Sequence, residues 1–183
     1  MKKIIIFASG VGTNAKNIID KMKGTDVHVC GIISSSADAG VVEVAKKEGL
    51  PCGVFTKSDI ESGKLISLLR RLDPNLIVLA GFLLMVPKDI TDMFRVVNLH
   101  PSLLPKFGGK GMHGMKVHNA VISAGEKESG ITIHWVNERY DEGEIIAQFR
   151  CEVSESDTPE ILSAKIKELE LKNFPKVVFD LLN

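Results

Sequence analysis

The residues best suited to chemistry in this sequence are Asn98 and His100, two positions apart where an apolar segment runs into Pro101. An asparagine amide can donate a hydrogen bond to an oxygen that gains negative charge during a reaction. A histidine titrates near neutral pH and can move protons. The alternative interpretation is that Asn98 caps a turn and His100 is an ordinary loop histidine.

A short strand must position this pair. The β-branched pair Val96-Val97 predicts a buried strand that ends near Leu99, because Pro101 and Pro105 lack the N–H that a sheet ladder needs. A side-chain period of two places Asn98 and His100 on the same side of that strand. In an open parallel sheet, ligands bind at the carboxyl ends of the strands, which is where this pair falls.

Further strands and helices alternate along the chain, and this pattern predicts an α/β fold with a doubly wound, mostly parallel sheet. The predicted strands are Ile4–Ala8, Val27–Ser34, Cys52–Phe55 and Leu76–Ala80, and the predicted helices include Val41–Lys47, Ile60–Leu72 and Lys116–Ala124. Two later segments, Ile131–Val136 and Ile145–Val153, predict an antiparallel strand pair near the C-terminus. Thr158 and Pro159 open a final helix that we expect to end near Phe174, because Pro175 interrupts it.

A glycine loop, Ser9-Gly10-Val11-Gly12-Thr13-Asn14, follows the first strand and precedes a helical segment. In this arrangement, backbone donors and the helix N-terminus can hold a phosphate. The loop lacks the third glycine of a dinucleotide fingerprint and the Gly-Lys-Thr/Ser of a P-loop. A tight turn capped by Thr13 or Asn14 is the alternative interpretation.

The composition limits the kinds of partner to expect. The 183 residues are 44% hydrophobic and 25% charged, and Lys plus Arg equals Asp plus Glu at 23 each, so no nucleic-acid or membrane-surface partner is expected. Cys30, Cys52 and Cys151 are predicted to be reduced thiols, and the histidine and cysteine spacing predicts no metal site. The length predicts a single domain, and the reduced thiols together with the lack of a segment of membrane-spanning length predict a cytoplasmic protein. The sequence leaves its oligomeric state open.

A family resemblance follows from three sequence features. The run Asn98-x-His100-Pro101-Ser102-Leu103-Leu104-Pro105, with Asp141-x-Gly143 further along the chain, resembles the folate-dependent formyltransferase family. With the loop Ser9–Asn14, the chain is similar to the branch that uses 10-formyltetrahydrofolate as co-substrate to formylate the amine of glycinamide ribonucleotide in purine (IMP) synthesis. The resemblance implies a Rossmann-like formyltransferase domain over 1–183, with a phosphate- and nucleotide-binding half at 1–80 and a folate-binding and catalytic half at 81–183.

The resemblance also implies a role for several positions. His100 would be the catalytic histidine, Asn98 the amide that holds the formyl oxygen, and Asp141 the carboxylate that keeps the histidine protonated. The substrate phosphate would bind Gly12, Thr13 and Asn14, and the ribose would bind Glu170. The alternative interpretation of Glu170 is an exposed charge on a helix face. The folate would bind Leu83, Leu84, Met85, Val86 and Asn98.

Two departures from the family pattern leave roles unassigned. Leu83-Leu84 stands where the family often has Met-Arg, so no arginine is available there for the folate. The loop Gly108–His118 is longer than the common form, and neither His113 nor His118 is given a role. Lys57 and Lys64 are further candidates, without an assignment, for the folate glutamate tail.

Three other functions compete with this interpretation. A methionyl-tRNA formyltransferase normally has an additional basic C-terminal domain, and a formyltetrahydrofolate hydrolase usually has an additional N-terminal domain. We expect neither in this chain. A non-catalytic nucleotide-binding module would have no need for Asn98, His100 and Asp141 together. Formyl transfer to an amine is therefore the predicted reaction, with hydrolysis or another amine acceptor as the alternative.

Overall fold

A single seven-stranded sheet forms the centre of the computed structural model, which describes residues 1–183. The strands are β1 (Lys2–Phe7), β2 (Val27–Ser34), β3 (Cys52–Val54), β4 (Leu76–Leu79), β5 (Val96–His100), β6 (Glu128–Trp135) and β7 (Ile145–Glu152). Their order across the sheet is β3-β2-β1-β4-β5-β6-β7. The five strands from β3 to β5 are parallel, and β6 is antiparallel to both of its neighbours. The predicted antiparallel pair is therefore confirmed.

Helices cover both faces of the sheet. They are α1 (Thr13–Met22), α2 (Gly40–Lys47), α3 (Lys57–Glu61), α4 (Lys64–Leu72), α5 (Lys88–Met93), α6 (Met115–Ser123) and α7 (Pro159–Asp180). Alternate residues of β1 enter different layers: Ile4 joins the core under α1, α2, α6 and α7, whereas Ile5 joins the core under α4 and α5. This is the doubly wound α/β architecture that the alternating pattern predicted.

The single helix predicted over Ile60–Leu72 is wrong, because two helices occupy this region. Thr56 opens α3 with a reciprocal capping box to Asp59. The chain then turns at Gly63, which has a φ of 79° and precedes α4. A left-handed residue breaks the helical path, and glycine adopts it without a steric penalty from a Cβ atom. The helical spacing of the leucines did not indicate this break.

The predicted interruption at Pro175 is also wrong, because α7 runs without a break from Pro159 to Asp180. A proline inside a helix lacks the N–H that would bond to the carbonyl four residues earlier, which here belongs to Leu171. The Asn17 side chain of α1 donates a hydrogen bond to that carbonyl at 2.5 Å. A neighbouring helix therefore supplies the donor that Pro175 lacks.

The remaining chain-wide features concern the cysteines and the helices. Cys30, Cys52 and Cys151 are free thiols, and burial raises the pKa of each. No helix combines the length and the apolar character that crossing a membrane requires.

Candidate active site

The carboxyl ends of the parallel strands bring Asn98 and His100 to one edge of the sheet. Asn98 lies in the middle of β5, and His100 is the last residue of that strand. Antiparallel pairing places His134 of β6 directly opposite Asn98 and Thr132 opposite His100. The site therefore draws on two strands with different directions, and the second contributes a histidine.

His100 is almost completely enclosed, with 4% of its surface exposed. Its Nε2 atom lies 2.8 Å from the carbonyl oxygen of Phe107 and donates to it. Its Nδ1 atom lies 3.5 Å from Oδ2 of Asp141. Burial lowers the pKa of His100, while the Asp141 carboxylate and the Phe107 carbonyl oppose this shift without overcoming it. Asp141 thus acts in the expected direction, but burial outweighs it.

Asp141 lies in the loop between β6 and β7 and adopts a left-handed backbone conformation with a φ of 56°. Its Oδ2 atom accepts a hydrogen bond of 2.8 Å from the backbone N–H of Gly109, and its Oδ1 atom lies 3.6 Å from Nε2 of His134. Burial alone would raise the pKa of Asp141. The contacts with His134, His100 and Gly109 more than offset that effect and lower the pKa below its ordinary value. The carboxylate is therefore ionised and links two loops to both histidines.

His134 is a site residue that the sequence interpretation did not identify. Its ring is 2% exposed, and its Nε2 atom lies 3.1 Å from Nδ2 of Asn98. Its Nδ1 atom lies 2.9 Å from the carbonyl oxygen of Trp135, which can only accept. Nδ1 therefore carries a proton, and in the neutral ring Nε2 accepts from the Asn98 amide. The only signal in the sequence was the alternation of Ile131–Val136, which does not reveal the register against β5.

The glycine loop leaves the N-terminus of α1 open. Gly12 precedes α1 in a left-handed conformation with a φ of 89°, and no side chain caps the helix. The alternative interpretation, a cap by Thr13 or Asn14, is therefore wrong, because Thr13 is already the first helical residue. A Cβ atom on Gly12 would lie 2.8 Å from the Cα atom of Val41, so the tight turn requires glycine. The amide donors of the first helical turn stay available to an anion.

Asn14 and Glu170 join the first and last helices beside this loop. The Nδ2 atom of Asn14 donates a hydrogen bond of 2.8 Å to Oε2 of Glu170. The Nζ atom of Lys167 lies 3.5 Å from the same oxygen. Glu170 is thus held on the face of α7 that looks toward the glycine loop.

These groups share one open cleft with a volume of about 710 Å³. Its lining includes Gly12, Thr13, Asn14, Leu83, Asn98, His100, Asp141 and Glu170. The histidines without an assigned role, His113 and His118, and the loop residue Lys110 line it too. Lys57 and Lys64 do not, and they pair instead with Glu61 and Asp59.

A small hollow of about 50 Å³ lies beside the cleft and shares Asn98 and Asp141 with it. Its lining also includes Leu84, Met85 and Val86, together with His134, Val136, Asn137, Arg139 and Tyr140. Leu83 and Met85 are exposed, whereas Val86 is buried. The structure therefore brings all the expected folate residues to the cleft or to the hollow next to it.

Comparison with known proteins identifies the protein family to which this chain belongs. A model of the family described as formyl transferase matches residues 2–178. The chain belongs to this formyl transferase family.

Individual relatives are similar to the chain in sequence and in structure. The chain is 34% identical to the phosphoribosylglycinamide formyltransferase of Bacillus subtilis, and the match covers 100% of this chain and 95% of that protein. It is 38% identical to the chloroplastic phosphoribosylglycinamide formyltransferase of Arabidopsis thaliana over 97% of this chain, but it spans only 64% of that protein. The crystal structure of glycinamide ribonucleotide transformylase 1 from Geobacillus kaustophilus superposes with a TM-score of 0.90 at 31% identity, covering 100% of both chains.

Proposed function

We propose that this chain transfers the formyl group of 10-formyltetrahydrofolate to the amine of glycinamide ribonucleotide, a step of purine synthesis. The observation that carries the proposal is the single cleft that joins the glycine loop and Glu170 to Asn98, His100 and Asp141. An anionic ribonucleotide and an acyl donor could meet there. Membership of the family and the names of the relatives support the same activity.

The ribonucleotide is proposed to bind along α1 and α7. Its phosphate would accept hydrogen bonds from the open N-terminus of α1 at Gly12, Thr13 and Asn14. Its ribose hydroxyls would donate to Glu170, whose carboxylate is already oriented by Asn14. Because Glu170 lies in the second half of the chain, the proposed division into a nucleotide half at 1–80 and a folate half at 81–183 holds only for the phosphate.

The folate is proposed to bind where the hollow meets the cleft. Leu83 to Val86 would pack on its flat ring, with Asn98 and the loop around Asp141 on the other side. When bound, 10-formyltetrahydrofolate supplies the formyl group. No arginine stands at Leu84, but Arg139 also lines the hollow.

The chemistry proposed for Asn98 and His100 follows from their partners. Asn98 uses one amide hydrogen to hold His134, so its second hydrogen remains free to stabilise charge on the formyl oxygen. Since burial lowers the pKa of His100, its protonated form is a stronger acid than an ordinary histidine. It is therefore suited to protonate the nitrogen that departs.

Direct contact between His100 and the reacting atoms has a structural requirement. Both ring nitrogens of His100 face protein acceptors, Phe107 on one side and Asp141 on the other. One of these contacts must open, or a water molecule must carry the proton.

The test is folate product formation by the purified protein from 10-formyltetrahydrofolate, with and without glycinamide ribonucleotide. We expect turnover only with the ribonucleotide. His100→Ala should lower turnover by about 10²- to 10⁴-fold, whereas His28→Ala, on the exposed face of β2, should leave it unchanged. Equal turnover without the ribonucleotide would indicate a hydrolase, and no turnover would indicate another acceptor.

A further inference from the structure

His118 is a buried polar side chain that the proposed chemistry does not use. It lies in the second turn of α6, is 5% exposed, and lines the cleft. Its Nδ1 atom is fully enclosed and has no hydrogen-bond partner. Buried polar atoms without a partner are rare in proteins, and each one calls for a structural or functional reason.

The enclosed Nδ1 atom determines the tautomer of this ring. An enclosed N–H with no acceptor loses its hydration without compensation, which costs more than leaving a lone pair unpaired. In the neutral ring, the proton is therefore carried by Nε2, and burial lowers the pKa of His118 and so favours the neutral ring. Nε2 is not among the enclosed unpartnered atoms. His118 consequently offers one N–H donor on the side of the ring that meets the cleft.

The position of His118 indicates which substrate it would meet. It lines the large cleft together with Ser163, Lys167 and Glu170 of α7, and it is absent from the hollow next to Leu84. The packing of α6 against α7 holds it on this side. Of these residues, Glu170 is proposed to bind the ribonucleotide, and a ribonucleotide is rich in acceptor oxygens.

We propose that His118 is a ribonucleotide-binding residue whose Nε2–H donates a hydrogen bond to an oxygen of that substrate. The inference rests on the proposed function and deepens it, because it adds a donor to the phosphate loop and the Glu170 carboxylate. A neutral hydrogen bond contributes about 1 kcal/mol, which corresponds to roughly a fivefold change in affinity.

Two amide variants test the donor atom. In His118→Gln the side-chain amide reaches about as far as Nε2, whereas in His118→Asn it reaches only as far as Nδ1. We expect His118→Asn to raise the KM for glycinamide ribonucleotide about 5- to 10-fold, with little change in the KM for 10-formyltetrahydrofolate. His118→Gln should restore most of the loss. An unchanged ribonucleotide KM in both variants, or equal rises in both KM values, would overturn the role of His118 while leaving the proposed function intact.

A spectroscopic measurement on the wild-type protein needs no variant to fold. With ¹⁵N-labelled histidine, the spectrum should show His118 protonated on Nε2 and unprotonated on Nδ1, and adding glycinamide ribonucleotide should shift the Nε2–H resonance. A proton on Nδ1, or no shift at a ribonucleotide concentration that supports turnover, would overturn the proposal. A wild-type protein without ribonucleotide-dependent turnover would instead overturn the proposed function.

Discussion

The amide nitrogen of Asn98 lies 3.1 Å from Nε2 of His134, so the side chain proposed to hold the formyl oxygen is itself held by a histidine on the neighbouring strand. The ring of His134 is fixed in turn by its Nδ1–H, which donates to the carbonyl oxygen of Trp135. Asn98 therefore has one amide hydrogen committed and one free. His134 is a positioning residue, because it acts through Asn98.

Removing the His134 acceptor should lower kcat more than it changes either KM. In His134→Phe, Asn98 loses a hydrogen bond worth about 1 kcal/mol, and we expect kcat to fall about 5- to 10-fold. His134→Gln supplies an amide oxygen near the position of Nε2 and should recover much of the rate. Steady-state kinetics with both substrates measure the difference. Equal kcat values for the Phe and Gln variants would contradict the positioning role.

The sequence was sufficient to predict the architecture, because the patterns that specify its strands and helices are local. Apolar runs such as Ile4–Ala8 and Leu76–Ala80, separated by helical segments, predicted the parallel sheet, and the prolines after His100 predicted where β5 ends. The register of β6 against β5 depends on long-range pairing, and no local pattern encodes it. That is why the opposition of Asn98 and His134 could not be predicted.

The two errors in the helices have different origins. Gly63 separates α3 from α4, although the leucine spacing predicted one continuous helix. Pro175 lies inside the continuous helix α7, although a proline is expected to end a helix. In the second case the decisive residue is Asn17, far away in the sequence. A tertiary contact overrides local propensity at Pro175, whereas the break at Gly63 follows from its local left-handed backbone.

Asp141→Asn should lower the pKa of His100 further. The carboxylate of Asp141 opposes the lowering of this pKa by burial, so its replacement with a neutral amide leaves burial less opposed. An NMR titration of the His100 ring in both proteins measures the change. We expect the variant to titrate at lower pH, and an unchanged or raised pKa would contradict the pairing. Turnover should fall about tenfold or more.

The same substitution has a pH-dependent effect on stability. Because folding lowers the pKa of Asp141 below the ordinary value of 3.8, its ionised form stabilises the fold above that pH. This contribution is lost as the pH falls through the folded pKa. Chemical denaturation should show that the wild type loses stability relative to Asp141→Asn as the pH falls below 3.8. A difference independent of pH over that range would contradict the lowered pKa.

Glu170→Gln should weaken ribonucleotide binding specifically. Its carboxylate accepts from Asn14 and faces the cleft, whereas Glu168 lies on the exposed side of the same helix. A hydrogen bond to a charged acceptor is worth about 1.5 to 3 kcal/mol, so we expect the ribonucleotide KM to rise at least tenfold. The KM for 10-formyltetrahydrofolate should stay nearly constant. Glu168→Gln is the matched control, and a similar effect from both variants would point to a general change in α7.

Asn17 and Pro175 should be energetically coupled. Asn17→Ala removes the donor to the Leu171 carbonyl and leaves that group unpaired in the interface between α1 and α7, which we expect to cost about 1 to 3 kcal/mol of unfolding free energy. In a Pro175→Ala background, residue 175 regains an N–H that can bond to the same carbonyl, so Asn17→Ala should cost less there. Urea denaturation of the wild type, both single variants and the double variant completes the cycle. Equal costs of Asn17→Ala in the two backgrounds would show that the Asn17 side chain does not replace the missing proline donor.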